Sequence, residues 1–178
     1  VTVGERAGQG GAGERVALAV LMERRLARSG PWSAAQWELV GVLPGGSGAG
    51  RTCVHRDRGC SRWLWTGLTL ELHRDGCEGY RFNLASGRPR LFVVCFSDEE
   101  AEAEGDEIEP LLVSASQDEA TAHLESEDEV YSLPMPEAVR ARVERFVARH
   151  YRPEDNKKRR RRDWKEEGRR EPRCERAR

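Results

Sequence analysis

The chain has 178 residues, 38% hydrophobic, 34% charged and 7% aromatic, enough for one ordinary domain and too short for two. Its net charge of -1 conceals a division, because residues 157–178 hold 12 Lys/Arg against 5 Asp/Glu and leave the remainder acidic. The longest apolar run, Val16 to Met22, is seven residues, far below the roughly 20 of a membrane-spanning helix; Glu23-Arg24-Arg25 follows it where a secretory signal would place small residues, so the expectation is no membrane span and a cytoplasmic address.

Residues 1–15 are glycine-rich and poor in large apolar side chains, which predicts a disordered N-terminus ahead of one domain over residues 16–153. Val16 to Met22, apolar at consecutive positions, reads as a covered strand, and Trp37 to Leu43 as a second one stopped by Pro44-Gly45-Gly46. A loop is expected from Pro44 to about Arg62. In Trp63 to Arg74 the leucines Leu68, Leu70 and Leu72 alternate with Thr69, Glu71 and His73, the pattern of an antiparallel strand with one wet face. Asp75-Gly76 then suggests a reversal, with Tyr80, Phe82 and Leu84 on a returning strand. Leu91 to Phe96, apolar on both faces, completes a three-strand meander.

Asp98 to Glu109 carries eight acidic residues in twelve positions and should be an exposed loop. Ile108 to Ser114 resumes a strand, and Ser116 with Glu119 three positions later marks the start of a short helix reaching about Glu125. Glu129 to Leu133 is one more strand. Pro136 suits the first position of the only long helix, whose apolar stripe is Val139, Val143, Phe146, Val147 and His150. Pro153 ends it, and residues 154–178 read as a disordered basic tail. The predicted fold is α+β, an antiparallel sheet of about six or seven strands curling toward a half-barrel, with the long helix and the short one packed on it.

Chemistry-bearing residues are sparse. Five cysteines (Cys53, Cys60, Cys77, Cys95, Cys174) at irregular spacing predict reduced thiols. Cys53, His55, Cys60, His73 and Cys77 are zinc-ligand types within 25 positions, but without a C-x-x-C knuckle a loop with incidental thiols is the stronger reading, and no metal or cofactor is assigned. Glu71, Arg74, Asp75 and Glu78 surround the expected hairpin turn and read first as a solvated face. Cys95, between Val94 and Phe96, reads as core, and no Ser/His/Asp or Cys/His set is evident. Gly45 to Thr52 follows a strand as a nucleotide loop does, yet lacks the lysine and the helix. Lys157, Lys158, Arg159, Arg160, Arg161 and Arg162, with Trp164 beyond, could neutralise phosphates or dock on an acidic protein. Trp32, Trp37, Trp63 and Trp65 suit either a core margin or a protein-binding patch, with the core the stronger reading.

Val16 to Arg25, Pro31-Trp32, Trp37 to Pro44, Gly67 to Leu84, Val113 to Glu119 and Leu133 to Pro153 resemble a family of small proteobacterial proteins encoded beside formate dehydrogenase and other molybdenum-enzyme genes. Some of these carry the label molybdopterin-guanine dinucleotide biosynthesis protein A, and a basic C-terminal tail is common among them. True guanylyltransferases of that name follow their first strand with an L-A-G-G-x-S-x-R-M-G-x-D-K loop for GTP; here Val16 to Met22 leads into Glu23-Arg24-Arg25. The resemblance therefore implies a non-catalytic accessory that binds a protein partner, possible molybdoenzyme subunits included, during assembly of a formate dehydrogenase-type enzyme. A GTP- or molybdopterin-binding enzyme is the first alternative, and nucleic-acid binding through the tail the second. The expected contact surface is Trp32 and Trp37 with Glu71, Arg74 and Tyr80, supported by the basic tail.

Overall fold

In the computed structural model, which describes residues 13–29, 32–46, 48–98, 101, 107–124 and 128–153, the first apolar run lies inside a strand more than twice its length. This strand, β1, spans Glu14–Ser29, and Val16, Leu18, Val20 and Met22 are buried at alternate positions, as one covered face requires. It continues past Glu23 because its charges find partners on neighbouring elements. Glu23, only 2% exposed, accepts hydrogen bonds from Arg62 Nε at 2.5 Å and from Arg25, while Arg24 Nε donates to Glu107 at 2.8 Å. Arg62, then Arg25, hold the Glu23 carboxyl below the usual carboxylate range against the opposing effect of burial.

β2 (Trp32–Pro44) returns antiparallel along one edge of β1, and β4 (Cys60–Leu72) takes the other edge. β3 (Gly50–Asp57) makes a hairpin with β4, so the expected long loop from Pro44 to Arg62 is in large part strand. Gly45, Gly46 and Gly48, all at positive φ, lead into strand β3 rather than a helix, which removes the nucleotide-loop reading of this stretch.

The expected returning strand at Tyr80 to Leu84 is instead helix α1 (Cys77–Ala85). Residues 77, 80 and 84 share a helical face: Cys77 and Tyr80 are buried and Leu84 packs on the core, while Phe82 points away at 60% exposure. Beyond it come β5 (Arg90–Ser97), β6 (Ile108–Ser114), α2 (Gln117–Leu124), β7 (Glu129–Pro134) and α3 (Glu137–His150). Ser116 Oγ accepts the Glu119 amide at 3.5 Å at the start of α2, but the Glu119 carboxylate accepts from Ser114 Oγ at 2.5 Å instead of reaching back to the cap. Pro136 stands just before α3, not within it.

The strand order is β2-β1-β4-β6-β5-β7, with β3 also on β4. The sheet is mixed rather than antiparallel, because β6 lies parallel to β4 through Leu70 and Val113. The expected meander is corrected accordingly: β6 separates β5 from β4. β3 and β6 share one edge of β4 in succession, and the handover falls at Thr66-Gly67, where two β4 residues stand opposite Ala19 alone. The outermost strands in the order, β2 and β7, come into contact, so the sheet curls almost into a barrel. One continuous core joins Val16, Leu70, Leu72 and Val93 of the strands to Tyr80 of α1 and to Val139, Val143 and Phe146 of α3. Of the N-terminus expected to be disordered over residues 1–15, Glu14 and Arg15 instead open β1, where they pair with Leu72 and Glu71; residues 1–12, the tail from residue 154 and most of the acidic positions between Asp98 and Glu107 lie outside the described residues.

Asn83 ties α1 to the sheet. Its side-chain amide donates to the Arg90 carbonyl at 2.7 Å and the Ala115 carbonyl at 2.8 Å, and its Oδ1 accepts the Arg90 amide at 2.9 Å. Asn83→Ala removes all three bonds and strands two carbonyls and an amide, so a loss of about 2 kcal/mol in denaturant unfolding is expected. Asn83→Asp should recover only the bond to the Arg90 amide.

A candidate site at the seam of the curled sheet

Where β2 and β7 meet, the sheet leaves a solvent-open cleft of about 850 Å³, walled by Arg25, Gln36, Trp37 and Glu38 on one side and by Ser97, Glu107, Glu129 and Tyr131 on the other. Four strands and one connection contribute to it. Trp37 pairs with Arg24 across β1–β2, and its ring meets Trp65 edge-on at 6.0 Å between centroids. The Trp37 Nε1–H is buried without a hydrogen-bond partner. Opposite, the Tyr131 hydroxyl donates to the Glu129 carboxylate, and burial first, then that hydrogen bond, pushes the phenol well up from its ordinary value. Tyr131 therefore stays a neutral donor throughout the physiological range. Glu107 is held by Arg24, and the Arg25 guanidinium pairs with Glu23 while also feeling the charge of Glu38.

The other tryptophans divide. Trp63 and Trp65 are core, at 8% and 7% exposure, with Trp63 Nε1–H donating to Ser61 Oγ at 3.1 Å and the guanidiniums of Arg51 and Arg56 lying 5.1 and 5.7 Å from its ring centroid. Trp32 is the first residue of β2, and its side chain lies outside the described residues.

The remaining expected contact residues stand elsewhere. Glu71 is opposite Arg15 on β1, nine positions from the Arg24 that faces Trp37, a separation of about 30 Å at strand spacing. It pairs with Arg15 at 2.7 Å and lies 3.4 Å from His73. Arg74 is exposed beside the start of α1, where Asp75, Glu78, His150 and Arg152 line a smaller hollow. Tyr80 is not a surface residue: it is 2% exposed, accepts the His73 amide on its hydroxyl at 3.3 Å and packs edge-on against Phe146. The expected surface thus separates into the Trp37 seam, the Glu71/Arg74 end and a core tyrosine. The tail residues Lys157, Lys158, Arg159, Arg160, Arg161 and Arg162 lie outside the described residues.

The zinc-type residues are divided in the same way. Cys53, His55 and Cys60 belong to the β3–β4 hairpin, whereas His73 and Cys77 sit past the far end of β4, twelve strand steps or about 40 Å from Cys60. Cys53 Sγ donates to the His55 carbonyl at 3.3 Å, and no group of three or more candidate ligands gathers among the described residues. Cys95 is fully buried beside Met22, and burial pushes its thiol far up, as befits core rather than a nucleophile. No helix of the described residues is long and apolar enough to cross a membrane.

Glu107, Glu129, Tyr131 and Ser97 were not singled out from sequence, because they come from separate strands and a connection that only the curl of the sheet brings together. Comparison with curated proteins and with solved structures finds no significant match. Residues 17–161 match the family described as "Protein of unknown function (DUF3305)", and with most of its length covered the chain belongs to that family.

Proposed function

We propose that this protein is a non-catalytic accessory that binds a protein partner in the cytoplasm, during assembly or maturation of a molybdenum-dependent oxidoreductase of formate dehydrogenase type. The resemblance of Val16 to Pro153 to proteins encoded beside molybdenum-enzyme genes supports the second half of this reading. The observation that carries the first half is the seam cleft itself, a wide, solvent-open opening at the junction of β2 and β7 with the Trp37 side chain and several carboxylates on its walls. An aromatic wall at an open cleft gives a macromolecule apolar area to bury. The cleft is walled by carboxylates, which suits a protein surface better than the phosphates of GTP.

Capture from the native host with the full chain as bait tests the reading. Subunits of a molybdenum-dependent oxidoreductase should co-purify, and Trp37→Phe, which stays aromatic but removes part of the cleft wall, should reduce their recovery. Failure to recover such subunits, or saturable GTP turnover by the purified chain, would overturn it.

A further inference from the structure

We infer, resting on the partner-binding reading, that the seam cleft takes an extended segment of the partner protein bearing lysine or arginine. Two independent features point to that chemistry. Among the described residues β2 pairs only with β1 and β7 only with β5, so where the two strands border the cleft neither outer edge is paired with another strand. Glu38, Glu107 and Glu129 line the opening; Glu107 is paired with Arg24, and Arg25, the one cation lining it among the described residues, shares Glu23 with Arg62.

Glu38 and Glu129 give the lining its acidic character, which favours a basic partner and disfavours an acidic one. Backbone pairing along a strand edge supplies affinity without regard to sequence. The carboxylates then select which segment stays, because alternate residues of an extended chain point the same way and can carry basic heads to Glu38 and Glu129.

Fluorescence anisotropy of the full chain with a fluorescein-labelled eight-residue peptide alternating lysine and valine tests this, against a glutamate–valine peptide of the same length. The lysine peptide should bind saturably at low salt and weaken as salt rises, and the glutamate peptide should not bind. Combining Glu38→Gln with Glu129→Gln should weaken binding about tenfold, with an unchanged thermal unfolding transition, while Glu109→Gln, outside the cleft, should not matter. Absence of lysine-peptide binding, or binding indifferent to the double substitution, would overturn the inference. So would sedimentation showing a dimer that the double substitution dissolves, since the occupant would then be a second copy. The two readings fail separately: host subunits captured equally by the double variant sink only the basic-segment inference, and intact peptide binding with no captured subunit sinks only the accessory function.

Discussion

Phe146→Ala is expected to lower unfolding stability by about 3–5 kcal/mol, a fall of roughly 10 °C in Tm for a domain of this size. Phe146 is 2% exposed at the third turn of α3, with the Tyr80 ring edge-on at 6.4 Å and the His150 ring at 4.6 Å. Its removal leaves a void between α3 and α1, and Tyr80, whose hydroxyl is anchored on the His73 amide, is poorly placed to collapse into it. Phe146→Leu should cost much less, since most of the volume remains. Phe82→Ala makes the contrast. Although it lies only two positions from Tyr80, its 60% exposure predicts a change below about 1 kcal/mol. A strand at Tyr80 to Leu84 would place Phe82 and Tyr80 on one face and give them similar losses. Chemical denaturation of these variants beside Tyr80→Ala, expected to lose far more than Phe82→Ala, therefore tests the helical assignment as well as the core.

The second large effect falls on Gly67. Its φ is +84°, and a Cβ there would stand 2.6 Å from Ala49 Cα and 2.8 Å from Ala49 N, both backbone atoms that no side-chain rotation can move aside. Gly67→Val should destabilise by about 3 kcal/mol or more, combining strain at positive φ with overpacking. Gly59 also has positive φ, but nothing lies within 4 Å of its Cβ position, so Gly59→Ala should cost only the conformational share, about 1–2 kcal/mol. Setting Gly67→Ala against Gly59→Ala then measures what close approach adds to backbone strain. Gly67 also carries an architectural consequence. It sits in the bulge where β4 leaves β3 and takes β6, and it lines a second cleft, of about 690 Å³, between those two strands. If the bulge organises the handover, Gly67→Val should raise amide exchange at Val113 and Leu70 more than at Val20 or Val42.

These cases also show how much of the molecule could be read beforehand. β6, β7 and α3 were legible because each is bounded by its own local signals: an acidic run or a proline on one side, and a single unbroken period within. β1 was seen only to Met22, because charge was read as an end. Glu23, Arg24 and Arg25 continue the strand only through Arg62 and Glu107, partners 39 and 83 positions away. The segment Cys77 to Ala85 satisfies two periods at once, since Tyr80, Phe82 and Leu84 alternate while Cys77, Tyr80 and Leu84 follow a helical face. Nothing local separates those readings. The edge of β4 beside which a returning strand would pair is occupied by β3 and β6, and Phe146 offers Tyr80 a place to bury.

The candidate site repeats that division. Trp37 was visible as an aromatic that is costly to leave in water, but its counterparts Glu107, Glu129 and Tyr131 are 70 to 94 residues away and enter only when β2 curls round to β7. By itself the sequence determined an α+β chain, most strand positions, the apolar face of α3 and the uneven distribution of charge, because these follow from periodicity, glycine and proline placement and local composition. Only the tertiary structure decided that β6 inserts parallel beside β4, that Tyr80 is core and that a carboxylate-walled seam exists, because each depends on which distant element fills a strand edge or covers a ring.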